Sequence, residues 1–241
     1  MTALLASVRS LKEARIALQG GADMIDLKDP RRGALGALPE KTAAALVRFV
    51  AGRRPVSATI GDLPMVPARL AEAVERTAAS GVDYVKVGLF SSPRQRECIR
   101  ALAPLARRGC RLVAVLFADQ RPEWTLLPQI AAAGFTGAML DTADKARGGL
   151  RRHLEDESIA RFVRHVQALG MRVGLAGSLK EEDIAPLCAL NPDYLGFRGR
   201  STPCGWPPCA PEWQRRQHAS PRCWRFSRSP LRAAASSHFP L

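Results

Sequence analysis

The sequence predicts a (β/α)8 barrel of the TIM type, followed by an atypical C-terminal tail. From residue 3 onward one unit recurs eight times: a short apolar strand, a turn, an amphipathic helix and a second turn. The strands are apolar on both faces, which is typical of a parallel sheet covered by helices. An open doubly wound sheet would carry a glycine-rich turn after its first strand, where this chain has Ser7-Val8-Arg9-Ser10. Closure into a barrel is therefore favoured.

Turn residues delimit each element in order. The strands are predicted over residues 4–8, 23–28, 56–60, 83–89, 111–117, 137–141, 171–175 and 194–197. The helices are predicted over residues 11–19, 40–50, 67–79, 93–107, 125–133, 154–169 and 180–190. Gly20-Gly21 ends the first helix because glycine suits helix C-termini, and Asp29-Pro30 ends the second strand. Pro39-Glu40 opens the second helix, Gly61-Asp62 ends the third strand, and Gly134 ends the fifth helix.

The chain divides at residue 199. Residues 1–199 are predicted to form the barrel and to be the catalytic domain. Residues 200–241 form an irregular basic tail that holds three of the four Trp and seven of the 18 Pro. This tail shows no helical or strand period, so the eighth helix of an ordinary barrel is not recognisable in it.

Composition and charge exclude several classes of protein. The chain is 46% hydrophobic and 24% charged, as is common for one globular domain of 241 residues. No apolar run reaches the roughly 18 residues of a membrane span, and the N-terminus lacks a signal peptide, so we expect a cytoplasmic protein without membrane contact. Of the net charge of +14, residues 200–241 contribute +6 and the body +8. The body charge is mixed with acidic residues, which suits small phosphorylated anions and gives no reason to expect specific nucleic-acid binding.

The cysteines and histidines do not form a recognisable metal site. Cys98, Cys110 and Cys188 are scattered, the other three cysteines lie in the tail, and no Cys-x-x-Cys pair occurs. The four histidines lie in helical segments, loops or the tail. We therefore expect no metal site and no disulfide framework.

Five charged residues are predicted to meet at the C-terminal ends of the strands, the face on which such barrels carry out chemistry. Asp26 and Lys28 share one face of strand two, Lys86 lies in strand four, and Asp141 ends strand six with Lys145 just beyond it. A buried lysine can attack a carbonyl and form a Schiff base, or it can donate a proton. Neighbouring carboxylates can carry protons, so the set favours aldehyde or ketone chemistry, without deciding which lysine attacks.

Two glycine-containing turns predict a phosphate site. Gly177 and Ser178 follow strand seven and precede a helix, so their backbone N–H groups can face an anion. Gly196, Arg198 and Gly199 at the end of strand eight add close backbone approach and a guanidinium. Barrel enzymes frequently bind phosphate between the loops after strands seven and eight.

Several separated blocks together resemble one family, that of the (5-formylfuran-3-yl)methyl phosphate synthases. The resemblance covers about residues 3–199, and the tail departs from it. The blocks are Ile25-Asp26-Leu27-Lys28-Asp29-Pro30, Gly33-Ala34-Leu35-Gly36, Ser57-Ala58-Thr59-Ile60-Gly61-Asp62, Tyr84-Val85-Lys86-Val87-Gly88, Leu140-Asp141-Thr142 with Lys145, Leu175-Ala176-Gly177-Ser178-Leu179 and Leu195-Gly196-Phe197-Arg198-Gly199.

The resemblance implies a barrel lyase that condenses two molecules of glyceraldehyde 3-phosphate into a furan aldehyde phosphate, an early step toward methanofuran. It implies Lys28 as the Schiff-base residue and Lys86 as the acid–base residue, with Asp26, Asp141 and Lys145 assisting proton transfer and dehydration. It also implies that no metal or organic cofactor is needed, since the lysine itself acts as the electron sink. The expected partner is a small phosphorylated aldehyde, and we expect a homo-oligomer. Two alternatives are another lysine-dependent sugar-phosphate aldolase and a non-catalytic barrel that binds a phosphorylated metabolite.

Overall fold

Eight parallel strands close into a barrel in the order β1 to β8, with β8 paired to β1. The structure is a computed structural model that describes residues 2–198. The strands are β1 Ala3–Val8, β2 Met24–Leu27, β3 Val56–Thr59, β4 Tyr84–Gly88, β5 Leu112–Phe117, β6 Gly137–Asp141, β7 Arg172–Leu175 and β8 Tyr194–Phe197. The predicted (β/α)8 barrel is confirmed.

Helices alternate with the strands and cover the outside of the barrel. They are α1 Leu11–Gln19, α2 Glu40–Val50, α3 Pro67–Ala79, α4 Gln95–Arg107, α5 Leu127–Ala132, α6 Leu150–His153, α7 Asp156–Ala168 and α8 Ile184–Ala189. The helix α6 lies in a stretch that was predicted to be a loop. Both α5 and α8 are shorter than predicted, because each is preceded by a 3-10 turn. Pro128 and Pro186 lie in the first turns of these helices. Backbone N–H groups in the first turn make no intrahelical hydrogen bond, so proline, which lacks an N–H, is tolerated there.

Side chains alternate between the barrel interior and the helical layer. Ile25 and Leu27 of β2 point outward and belong to a buried apolar cluster that includes Leu46 and Val50 of α2. This confirms the predicted opposite orientation of Asp26, which makes its contacts inside the ring. The interior of the barrel is tightly packed around its small residues. A Cβ on Gly196 would lie 3.0 Å from the Cβ of Ala176.

Two carboxylates fix the loops that follow β2 and β6. Asp62, after β3, accepts hydrogen bonds from the backbone N–H groups of Ala34 and Leu35, at 2.7 Å each. Asp119, after β5, accepts bonds of 2.9 and 2.8 Å from Ala143 N and Asp144 N. The loops that flank the mouth of the barrel are therefore held by charge-assisted bonds, three of them partly buried and one exposed.

No helix within residues 2–198 has the length and apolar character needed to cross a membrane. The predicted tail, residues 200–241, and the candidate phosphate ligand Gly199 lie outside the residues that the structure describes.

Candidate active site

Two buried ion pairs cross the interior of the barrel. Lys28 Nζ lies 3.1 Å from Asp141 Oδ2, and Lys86 Nζ lies 2.8 Å from Asp26 Oδ1. The four residues are between 0% and 4% exposed. Charged side chains are seldom fully buried, so this is an unusual arrangement. The sequence predicted that these residues converge, and in the structure they do.

Asp26 is held by hydroxyl groups on both neighbouring strands. It lies opposite Ser7 on β1 and Ser57 on β3, whose Oγ atoms donate bonds of 2.9 and 2.7 Å to its two oxygens. Burial alone would raise the pKa of Asp26, but the charges of Lys86 and Lys28 and the hydrogen bonds from Lys86 and Ser57 leave it lowered. Asp26 is therefore a fixed carboxylate. Neither serine was predicted to be a site residue, although each is the only hydroxyl residue of its strand that could pair with Asp26 in register.

The two lysines differ in basicity. Burial lowers the pKa of Lys28, but the carboxylates of Asp141 and Asp26 outweigh burial and leave the pKa raised. Burial also lowers the pKa of Lys86, where Asp26 only partly offsets it and the Lys28 charge adds to the lowering. Lys28 is therefore the more basic of the two amines before substrate binds, and Lys86 becomes a free amine more readily.

The end of β6 brings a third lysine to the mouth. Asp141 Oδ1 accepts a bond of 2.8 Å from the N–H of Thr142, which orients the carboxylate toward Lys28. Lys145 follows in a 3-10 turn, and no hydrogen bond or ion pair of its side chain is seen within residues 2–198. Partial desolvation and the charge of Lys28 lower the pKa of Lys145. The Thr142 hydroxyl is buried and has no hydrogen-bond partner among the described residues.

The residues predicted to bind phosphate are distributed around this centre. Gly177 and Ser178 have φ angles of 104° and 48°, and the Gly177 carbonyl accepts a bond of 2.9 Å from the N–H of Leu150. Gly177 thus contacts the start of α6, which follows the loop after β6. Arg198 Nη1 donates a bond of 3.1 Å to the backbone carbonyl of Lys28, which places a half-buried guanidinium next to this residue. Gly196 lies within β8 and provides room for packing inside the ring.

The centre carries an excess of positive charge. Asp26 and Asp141 influence the pKa of each of Lys28, Lys86 and Lys145, so three cations share two carboxylates, whereas Arg198 lies 3.9 Å from Glu13. A site with more cations than carboxylates attracts a phosphorylated anion. Within residues 2–198 no group of three or more His, Cys, Asp or Glu side chains is arranged to hold a metal ion.

Comparison with known proteins identifies relatives over most of the chain. A family model described as 4-HFC-P synthase matches residues 4–204. A protein of Methylorubrum extorquens, provisionally named (5-formylfuran-3-yl)methyl phosphate synthase, is 44% identical over 197 residues, covering 81% of this chain and 80% of the relative. The (5-formylfuran-3-yl)methyl phosphate synthase of Methanopyrus kandleri is 37% identical over 207 residues, covering 81% of this chain and 87% of the relative.

Solved structures share the fold at low sequence identity. The 3-keto-L-gulonate-6-phosphate decarboxylase of Vibrio cholerae superposes with a TM-score of 0.60 and 13% identity, covering 82% of this chain and 88% of that one. At this identity the similarity concerns the barrel fold alone.

Proposed function

The chain belongs to the 4-HFC-P synthase family, and we propose that it forms (5-formylfuran-3-yl)methyl phosphate from two molecules of glyceraldehyde 3-phosphate. This is a lyase reaction that would serve as an early step toward methanofuran. Its balance requires one inorganic phosphate and two waters to leave, with no oxidant or reductant. The observation that supports it best is the crossed pair of buried lysine–carboxylate contacts, Lys28–Asp141 and Lys86–Asp26.

Lys28 is proposed to attack the aldehyde carbon of one triose phosphate. Because the pKa of Lys28 is raised, its ammonium group must first lose a proton, and Asp141 at 3.1 Å is the nearest acceptor. The amine then adds to the carbonyl, and loss of water from the carbinolamine gives an iminium ion. Protonated Asp141 can return its proton to the departing hydroxyl group. The water formed here is taken up again when the product is released from Lys28, so the two waters of the overall balance leave in the later dehydrations.

Lys86 is proposed to move protons at the carbon next to the iminium. An iminium ion withdraws electrons and makes the neighbouring C–H bond acidic, so a base can remove that proton and form an enamine. Lys86 suits this task because its lowered pKa makes the free amine accessible. Asp26 holds the Lys86 amine in place while the enamine carbon attacks the second aldehyde and the later eliminations proceed.

The phosphate group is proposed to bind at the cationic side of the mouth. Lys145 and Arg198 lie beside the Lys28–Asp141 pair, and Gly177 and Ser178 border the loop that carries Lys145. Binding of a phosphate dianion there would offset the net positive charge of the centre.

Reductive trapping tests the proposal. The protein is incubated with glyceraldehyde 3-phosphate and sodium borohydride, digested, and mapped by mass spectrometry, while a parallel sample is assayed for the ultraviolet absorbance of the furan aldehyde. We expect a reduced triose phosphate adduct on Lys28, its loss in Lys28→Met, and furan formation only in the unmodified protein. An adduct on Lys86 instead would reverse the assignment of the two lysines.

The same experiment separates the two alternative functions. A Lys28 adduct without furan product, but with a different carbon–carbon bond formed or broken, would indicate another sugar-phosphate aldolase. Ligand binding with neither adduct nor product would indicate a barrel that only binds a phosphorylated metabolite.

A further inference from the structure

A twelve-residue segment occurs twice in the chain, once after β1 and once after β5. Residues 24–35 and 139–150 align without a gap. The shared residues are Met24 and Met139, Asp26 and Asp141, Asp29 and Asp144, Arg32 and Arg147, Gly33 and Gly148, and Leu35 and Leu150. Both carboxylates of the crossed ion pairs therefore occupy the same position of a repeated segment.

The two copies also share their backbone geometry. Each copy contains a 3-10 turn, Pro30–Arg32 in the first and Lys145–Arg147 in the second. We call these the first and second basic turns. Asp29 and Asp144 precede these turns with identical angles, φ −105° and ψ 103°. Each Asp side chain accepts a bond from the backbone N–H two residues later, at 3.1 and 2.9 Å.

The ends of the turns match as well. Gly33 closes the first turn with φ 114° and ψ −176°, and Gly148 closes the second with φ 110° and ψ 179°. Leu35 and Leu150, two residues later, are both fully buried and anchor the loop. The two turns are therefore the same structural element used twice.

The two turns follow strands on opposite sides of the barrel. In a closed ring of eight strands, β2 and β6 are four steps apart in either direction, so the loops after them lie on opposite sides. The Lys28–Asp141 contact of 3.1 Å spans the space between them. Reactive groups thus lie between two equivalent elements.

We propose that the two basic turns are a matched pair of phosphate-binding elements, one for each of two phosphorylated aldehydes condensed at the lysines. This inference rests on the proposed function, in which the two substrates are chemically identical and each carries one phosphate. Arg32 and Arg147 occupy the same position in the two turns, and neither forms an ion pair with a carboxylate within residues 2–198. Arginine presents a planar fork of donors that suits phosphate oxygens.

The two elements differ in one respect. In the first turn, Arg31 is held by Asp29 through bonds of 3.1 and 3.0 Å, so its charge is already compensated. The second turn has Lys145, for which no such partner is seen in the described part of the chain. Each element therefore carries two cations and one carboxylate, but only in the first is one of the cations bonded to the carboxylate.

Inorganic phosphate binding to the full chain tests this inference without requiring turnover. Isothermal titration calorimetry should show two phosphates bound per chain, and one each for Arg32→Met and Arg147→Met. The affinity of the altered site should fall about 10-fold or more. Arg107→Met, at the C-terminal end of α4 and so on the opposite face of the barrel, is the control and should leave both sites unchanged.

The charge-preserving variants Arg32→Lys and Arg147→Lys should retain two bound phosphates with weaker binding at the altered site, because lysine cannot form the two-pronged contact. A single bound phosphate in the unmodified protein would overturn the inference, as would two phosphates that persist in both methionine variants. Loss of one phosphate per variant in a protein that forms no furan would leave the inference standing and the proposed function refuted.

Discussion

The Nζ atom of Lys86 lies 2.8 Å from Oδ1 of Asp26, and both side chains are closed off from water, at 2% and 0% exposure. Removing two charges from water is costly, and their mutual attraction compensates only when both partners are present. Ser7 and Ser57 supply the remaining bonds of the carboxylate. The stability of the barrel and the position of the Lys86 amine, the proposed acid–base group, therefore depend on the same contact.

Replacing one partner of this pair should be more harmful than replacing both. Lys86→Met leaves the Asp26 carboxylate buried without its main counter-charge, and we expect a loss of about 3–5 kcal/mol in the free energy of unfolding. The double variant Asp26→Asn with Lys86→Met removes both charges and should recover a large part of that loss. Chemical denaturation of the two variants measures the difference. Equal destabilisation would show that the ion pair is not the source of the effect.

Asp29 should titrate far below an ordinary aspartate. Its bonds to the Arg31 side chain lower its pKa from 3.8 to about 2. Since the folded pKa is the lower one, this contact stabilises the fold above pH 3.8, and the contribution is lost as the pH falls through about 2. A carbon-13 NMR titration of the carboxyl group should give the low value in the unmodified chain. In Arg31→Met the pKa should move back toward 3.8, whereas in Arg32→Met, its neighbour in the same turn, it should not.

The glycine that closes the first basic turn should not tolerate a side chain. Gly33 has φ 114°, and a Cβ there would lie 2.0 Å from Asp62 Oδ2, the atom that accepts the Ala34 N–H. Gly33→Ala should therefore cost backbone strain and loop hydrogen bonds, about 2–4 kcal/mol in total. Gly21→Ala is the matched control: its φ of 81° is also positive, but nothing lies within 4 Å of the added Cβ. We expect about 1–2 kcal/mol there, from strain alone. Thermal unfolding of both variants would contradict the argument if the two losses were alike.

The fold and the members of the reactive centre could be predicted because they depend on local patterns. Apolar runs bounded by turn residues gave all eight strands, and alternation along β2 placed Asp26 opposite in orientation to Ile25 and Leu27. Position at the C-terminal end of a strand then selected Lys28 and Asp141, whose contact spans 113 positions of the sequence.

The pairing within the centre could not be predicted in the same way, because it depends on register and reach across the ring. The sequence placed Asp26 and Lys28 side by side, yet each bonds to a residue of another strand: Asp26 to Lys86, and Lys28 to Asp141. The opposite pKa shifts of the two lysines follow from these pairings between residues of different strands. The short helix α6 and the late starts of α5 and α8 were also missed, since weak periodicity over six or fewer residues does not distinguish a helix from a loop.

Asp141→Asn should test the proton transfers proposed for iminium formation. Burial lowers the pKa of Lys28, and the charge of Asp141 is the strongest influence that raises it, so removing that charge should lower the pKa of Lys28. More free amine is then present near neutral pH, and the pH profile of borohydride trapping on Lys28 should shift to lower pH than in the unmodified chain. The maximum rates of trapping and of furan formation should both fall about 100-fold or more, because the variant lacks the carboxylate that accepts and returns protons. The asparagine oxygen can still accept the Thr142 N–H, so the backbone at the end of β6 keeps its contact. A variant in which both rates fell while the pH profile of trapping stayed unchanged would show instead that Asp141 acts only by holding Lys28 in position.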